Sequence, residues 1–229
     1  MEPLSEIAKR IELSQSPANM TSSETSDSRS ECGTCAGEAY VRTDGGVVPC
    51  PECSARRWVE SQLPLRYRHA SLSQFPERIR SVVFSWLRKP GDGLLLTGPC
   101  GSGKTHLAAT VVAERARLGD RPAFRRCADL YQALRDCFRR DESESVVLSA
   151  YVKPGLLILD DLGTGSLSDF ERRYTLELLD RRLNSCRPTV VTTNWTIERI
   201  SGDMDDRIAS RLAGFLRLEL VGEDRRISQ

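Results

Sequence analysis

Lysine is scarce in this chain of 229 residues: Lys9, Lys89, Lys104 and Lys153 are four of 33 basic side chains, and the other 29 are arginines. A lysine inside a motif is therefore conspicuous. Net charge is nearly absent too, since 33 cations against 32 anions leave +1, so no global field draws the chain to nucleic acid or to a membrane surface. No run approaches the roughly 18 apolar residues of a membrane span, and no membrane partner is expected. The start, MEPLSEIAKRIEL, carries early acids and no apolar stretch, unlike a secretory signal, and a cytoplasmic location is the expectation. Basic tails, helix-turn-helix signatures and RNA-binding motifs are missing. The two histidines, His69 and His106, have no metal-ligand spacing.

What is present is a soluble globular balance of 39% hydrophobic and 28% charged residues, long enough for one ordinary domain and a smaller attachment. Residues 1–30 are expected to be a flexible segment. Leu4, Ile7, Ala8 and Ile11 make a short amphipathic turn over 4–13, and the Ser/Thr-rich stretch 14–30 has too little apolar surface to offset its ordering entropy. Residues 31–60 hold two CxxC pairs, 61–75 read as a linker, and 76–229 alternate helix and strand. Helices are predicted over 76–89, 104–118, 128–139 and 168–184, the last opened by a Ser168–Glu171 capping box. Strands are predicted at 93–98, 122–126, 156–161, 188–194 and 215–222. Short apolar strands separated by helices imply an α/β fold, a parallel sheet with helices on both faces.

GPCGSGKT, residues 98–105, satisfies G-x-x-x-x-G-K-[ST] between an apolar strand and a helix. Gly98, Pro99, Cys100, Gly101, Ser102 and Gly103 form a loop whose backbone N–H groups can approach phosphates, and His106 follows it on the helix. Lys104 is expected to reach the β- and γ-phosphates of a bound nucleotide, and the Thr105 hydroxyl to ligate Mg²⁺. LLILDDLG then places Asp160 at the C-terminal end of a buried strand, where it holds the Mg²⁺ shell, and Asp161 beside it to orient and polarise the attacking water. DDLG also fits a GTPase D-x-x-G. No lysine follows an asparagine, however, so the guanine-reading N-K-x-D is missing. Asn194 ends the strand VVTTN, where an amide can hydrogen-bond both water and γ-phosphate without adding charge.

Cys32, Cys35, Cys50 and Cys53 form two CxxC pairs separated by 14 residues, the spacing of a four-thiolate Zn²⁺ site. Tyr40–Val41 and Val47–Val48 can form its hairpin, and a patch of this size needs the metal's binding energy to fold. Two disulfides or a redox pair are the rivals, disfavoured by the compartment and by the doubled motif. Cys100, Cys127, Cys137 and Cys186 read as small buried hydrophobes.

GPCGSGKTHLA, LLILDDLG, VVTTN, DDRIASRL and LVGEDRR, in this order over about residues 60–226, resemble the AAA+ ATPases, and within them the DnaC-type helicase loaders and the related IstB transposition helpers. The resemblance implies an AAA+ ATPase domain over 76–229 that self-assembles into an oligomer or filament. It implies that Asn194 is sensor 1, that Arg211 of SRL is an arginine finger acting in a neighbouring subunit with Arg207 as the alternative, and that Arg226 is sensor 2. The family tyrosine is replaced by Arg225. It also places Phe75 near adenine. A cysteine-bearing front resembles the loader branch, in which that domain docks on the replicative helicase, whereas IstB helpers begin with a helical domain lacking these cysteines. ATP, Mg²⁺ and Zn²⁺ are the expected cofactors. The replicative helicase is the expected partner, with single-stranded DNA a further one through Arg135, Arg139, Arg140, Arg181 and Arg182. A transposase ATPase helper and a nucleotide-gated adaptor with little turnover stay open as alternatives.

Overall fold

Leu94 and Leu96 pack on one side of a strand and Leu95 on the other, and none of the three has exposed surface. A strand apolar at every position is stable only when both of its faces are covered. The computed structural model covers them with helices. It describes residues 32–163, 165 and 167–221. The turn expected over 4–13, the linker over 14–30 and the tail with Arg225 and Arg226 lie outside the described residues.

The chain begins with a two-stranded antiparallel ribbon, β1 (Tyr40–Thr43) and β2 (Gly46–Pro49), with Val41 opposite Val48. Helix α1 (Pro51–Gln62) follows, then two short 3₁₀ turns at Leu65–Tyr67 and Leu72–Gln74, and helix α2 (Glu77–Arg88). Strand β3 (Gly93–Thr97) leads through the glycine loop into α3 (Lys104–Arg117). Strand β4 (Ala123–Arg126), α4 (Cys127–Arg139), α5 (Glu144–Val152) and β5 (Leu157–Leu162) come next. Helix α6 (Asp169–Asn184), β6 (Thr189–Thr193), α7 (Ile197–Asp203), α8 (Asp206–Ala213) and β7 (Leu216–Glu219) complete the described chain.

The five strands β3–β7 lie in the order β4-β5-β6-β3-β7, and every neighbouring pair is parallel. Strand β6 is inserted between β5 and β3, so three strands end side by side at one edge. Helices α1, α2 and α3 share one core with Leu94, Leu96, Ile158 and Val190. Residues of α4 to α8 share the other with Leu95, Leu157, Leu159 and Val191. The result is the AAA+ P-loop fold.

The boundary expected between 31–60 and 61–75 falls inside α1, which runs Pro51–Gln62. Cys127 and Cys137 are buried as expected, but Cys100 and Cys186 are exposed because each lies on a turn rather than on an inward face.

Candidate ATP site and cysteine cluster

The phosphate loop is shaped by close contacts that only glycine allows. Gly98 has φ 140, and a Cβ there would lie 2.3 Å from the Leu220 carbonyl oxygen, which belongs to the chain leaving β7. Gly103 caps α3 with φ 96, a conformation L side chains rarely adopt. The positive end of the α3 dipole therefore opens on the loop, where it attracts anions. Lys104 is only 7% exposed, and its ammonium donates to the Gly98 and Pro99 carbonyls at 2.9 and 2.7 Å. Ser102 Oγ is buried with no hydrogen-bond partner among the described residues. A buried hydroxyl in that state fits a loop built to receive a polar ligand.

Asp160 lies in the C-terminal half of β5, and the Thr105 hydroxyl at the start of α3 donates to its Oδ1 at 3.0 Å. The two residues expected to hold Mg²⁺ are thus in contact, although 55 positions apart. Burial raises the pKa of the Asp160 carboxyl, and the adjacent Asp161 charge adds to the rise, while hydroxyls from Thr192 and Thr105 oppose it. A buried carboxylate with a hydroxyl neighbour is a hard oxygen donor set suited to a divalent cation. Asp161 is exposed and adopts φ 66. Asn194 Nδ2 contacts Cys100 Sγ at 3.3 Å, which brings the end of β6 onto the phosphate loop. Behind the loop, His106 Nε2 hydrogen-bonds Gln74 Oε1 at 2.6 Å, and its ring lies 5.6 Å from that of the buried Phe75.

Arg211 joins none of these contacts among the described residues. Its Nε donates to Asp180 Oδ1 on α6 at 2.7 Å, and Arg207 pairs with Asp205 at 2.9 Å. Arg226 lies outside the described residues. The arginines considered for DNA are mostly engaged: Arg135 pairs with Glu171, Arg139 with Asp136 and Arg181 with Glu177. Arg182 is not a solvated helix-end cation, because it is fully buried.

The four cysteines converge. Their sulfurs all lie within 4.8 Å of one another, and all four residues are buried. Cys32 and Cys50 sulfurs are 3.8 Å apart, and those of Cys35 and Cys53 are 3.6 Å apart. A tetrahedral Zn²⁺ with Zn–S bonds of about 2.3 Å has edges of about 3.8 Å, so the residues fit the metal. A disulfide needs about 2.05 Å, and all four thiols are free. Cys50 caps the N-terminus of α1. Backbone N–H groups of Cys35 and Thr34 hold Cys32 down to about 7, whereas burial pushes Cys53 up to about 12. The Ala39 N–H and the Arg56 guanidinium donate to Cys35 and Cys53 sulfurs at 3.3 and 3.5 Å.

Sequence reasoning missed Thr192, which bonds both acids, and Asp180 and Gln74, which bond Arg211 and His106. Thr192 lies two positions before Asn194 within the strand that the sequence predicts over 188–194, and alternation along such a strand puts the two on one face.

The replicative helicase loader DnaC of Escherichia coli K12 is 31% identical over 142 residues, covering 62% of this chain and 53% of the loader. The chain thus spans about half the length of that curated relative. An ATP-binding protein of insertion sequence IS1162 from Pseudomonas fluorescens is 32% identical over 145 residues, covering 59% of this chain and 62% of the relative. A crystal structure of the DnaC helicase loader superposes with a TM-score of 0.61 at 25% identity, covering 69% of this chain and all of that one. The family model described as IstB-like ATP binding protein matches residues 73–213, a span containing the glycine loop, both acids and Asn194, and the chain belongs to that family.

Proposed function

We propose that the protein binds and hydrolyses ATP and uses it to load a replicative helicase onto single-stranded DNA. The observation that carries the ATP reading is the Thr105–Asp160 contact beneath the phosphate loop. Lys104 and the α3 N-terminus would hold the phosphates, and Thr105 with Asp160 would hold Mg²⁺, which would supply charge neutralisation at the phosphates. Asp161 orients and polarises the attacking water, and Asn194 hydrogen-bonds both that water and the γ-phosphate. Arg211, exchanged from Asp180 to a neighbouring chain's nucleotide, stabilises the charge of the transition state. Arg207 is the alternative finger, and Arg226 serves as sensor 2. A finger supplied by a neighbour makes an isolated chain a poor ATPase.

The buried four-cysteine cluster and the similarity to a replicative helicase loader support loading. The similarity to insertion-sequence ATP-binding proteins supports a second reading, an ATPase helper of a transposase. Calorimetric titration tests the core of both. Wild type should bind Mg·ATP, and Lys104→Ala should lose at least about 100-fold in affinity, as expected when a charged phosphate contact is removed. Equal affinity in the two proteins overturns the assignment. Unwinding by the same cell's replicative helicase on protein-coated single strands should rise with wild type and ATP, and not with Lys104→Ala. Stimulation of a transposase without that rise favours the second reading.

A further inference from the structure

The β5–β6 ladder is regular up to Leu159 opposite Val191 and resumes at Leu162 opposite Thr193. Strand β5 therefore carries one more residue than β6 across this step, and the bulged residues are Asp160 and Asp161. A bulge re-aims side chains but leaves backbone groups without their ladder partners. Here Asp161 also enters the left-handed region at φ 66, which is costly for an L residue, although Asp visits it more readily than most.

Thr192 lies opposite the bulge and is 1% exposed. Its Oγ1 accepts the Asp161 N–H at 2.8 Å and donates to Asp160 Oδ1 at 2.7 Å. A hydroxyl has one proton to give and an ionised carboxylate can only accept, so the proton points to Asp160 while an oxygen lone pair takes the Asp161 N–H. One side chain thus replaces the missing ladder bond and grips the buried acid.

We infer that Thr192 is the positioning residue of the ATP site: its hydroxyl anchors the Asp160 carboxylate and the Asp161 backbone to β6, setting both acids against the phosphate loop. This rests on the proposed ATP reading. Valine has the same shape and strand preference as threonine but no hydroxyl. Thr192→Val therefore removes the anchor with little change in packing, and Thr192→Ser restores it.

The test uses the full chain and two independent readouts. Amide exchange at Asp161, followed by NMR without nucleotide, should be slow in wild type and at least about tenfold faster in Thr192→Val, as for a lost hydrogen bond. In ATP hydrolysis, Thr192→Val should need about tenfold more Mg²⁺ for half-maximal rate and lose about tenfold in kcat, the worth of one bond to a charged group. Its ATP affinity in EDTA should stay within about twofold of wild type, because that binding rests on the loop and Lys104. Thr192→Ser should recover each quantity to within about threefold. A rapidly exchanging Asp161 amide in wild type overturns the inference, and so does wild-type kcat and Mg²⁺ dependence in Thr192→Val. Equal damage in Thr192→Ser assigns the effect to packing and also overturns it. If Thr192→Val does not fold, wild-type exchange and Thr192→Ser decide the matter. Failure of wild type to bind ATP refutes the ATP reading, and the exchange arm still decides the anchor.

Discussion

A guanidinium taken out of water needs a partner for every N–H it carries. Arg182 on α6 has no exposed surface, and its partners are neutral oxygens. The two N–H groups of its Nη1 are shared among the carbonyls of Tyr151, Val152 and Pro154, each at 3.0 Å. Nη2 donates to Pro188 at 2.7 Å, and Nε donates to Thr189 Oγ1 at 2.8 Å. Burial lowers its pKa to about 10, so the charge persists at neutral pH. Arg182 therefore ties together the chain entering β5 and β6, at the strand ends opposite those that carry Asp160 and Asn194. Arg182→Met should cost about 3 kcal/mol in urea unfolding, because it leaves several buried carbonyls without donors. Arg182→Lys should recover only part, since an ammonium cannot reproduce the planar fork. ATP affinity should stay near that of wild type. A cost below about 1 kcal/mol would mean the carbonyls find other donors and would refute this account. Nothing in the sequence separates Arg182 from Arg181: the two are adjacent at a helix end, and one turns inward while the other pairs with Glu177 on the surface. The meeting of Thr105 and Asp160, in contrast, was expected from the sequence, because the glycine loop and the acid-ended apolar strand are separate motifs with defined residue types.

Among the elements, the central strands were readable because burial on both faces demands continuous apolar runs such as LLILD and TVVTT. Helix α5 was not, because ESVVLSAYV is apolar on most sides and shows no stripe although only Leu148 and Tyr151 are buried. Helix α1 was hidden for the opposite reason: its inward face consists of Cys53, Ala55 and Val59 among charges. Helix α8, which carries Arg211, was visible only as a motif. Its start is set by Asp205, whose Oδ1 accepts the Arg207 N–H at 2.7 Å and whose Oδ2 pairs with that residue's guanidinium at 2.9 Å. The Arg207 bond holds the Asp205 pKa below the ordinary carboxylate range. A carboxylate with a depressed folded pKa stabilises the protein above its unfolded pKa, and the contribution disappears as pH falls through the folded value. Asp205→Ala should therefore cost about 1 kcal/mol near neutral pH, the usual worth of a cap. The gap to wild type should close well below pH ~4, where the unfolded carboxyl is already protonated. Asp205→Asn should keep most of the cap. A pH-independent gap would refute the carboxylate's role.

At the scale of the whole molecule, the cysteine cluster and the ATP site are linked through one helix. Helix α1 is capped by Cys50, carries Cys53 in its first turn, and then buries Ala55 and Val59 in the same core as Leu107, Ala108, Val111 and Val112 of α3. Helix α3 begins at Lys104. Trp58 Nε1 of α1 donates to the Pro122 carbonyl at 2.9 Å, and Gln62 Oε1 accepts from Arg125 at 2.9 Å, which fastens α1 to the chain around β4 as well. A metal that fixes the N-terminus of α1 should therefore stabilise the nucleotide-binding part, not just the ribbon. Elemental analysis should find a single zinc per chain, as four thiolates close one structural site. Removing it with a chelator under reducing conditions should lower the midpoint of one shared thermal transition by about 4–8 °C, equivalent to about 2 kcal/mol for a chain of this size. Cys50→Ser should reproduce the loss without a chelator, since it removes one thiolate and leaves α1 otherwise intact. ATP should raise the midpoint of both forms, because the loop residues themselves are unchanged. Two outcomes would refute this coupling: a chelated protein whose main transition is unmoved, or a separate early transition confined to the ribbon. Either would mean that α1 stays on α3 without its metal-bound end and that the cysteine cluster is a passenger on the ATP-binding fold.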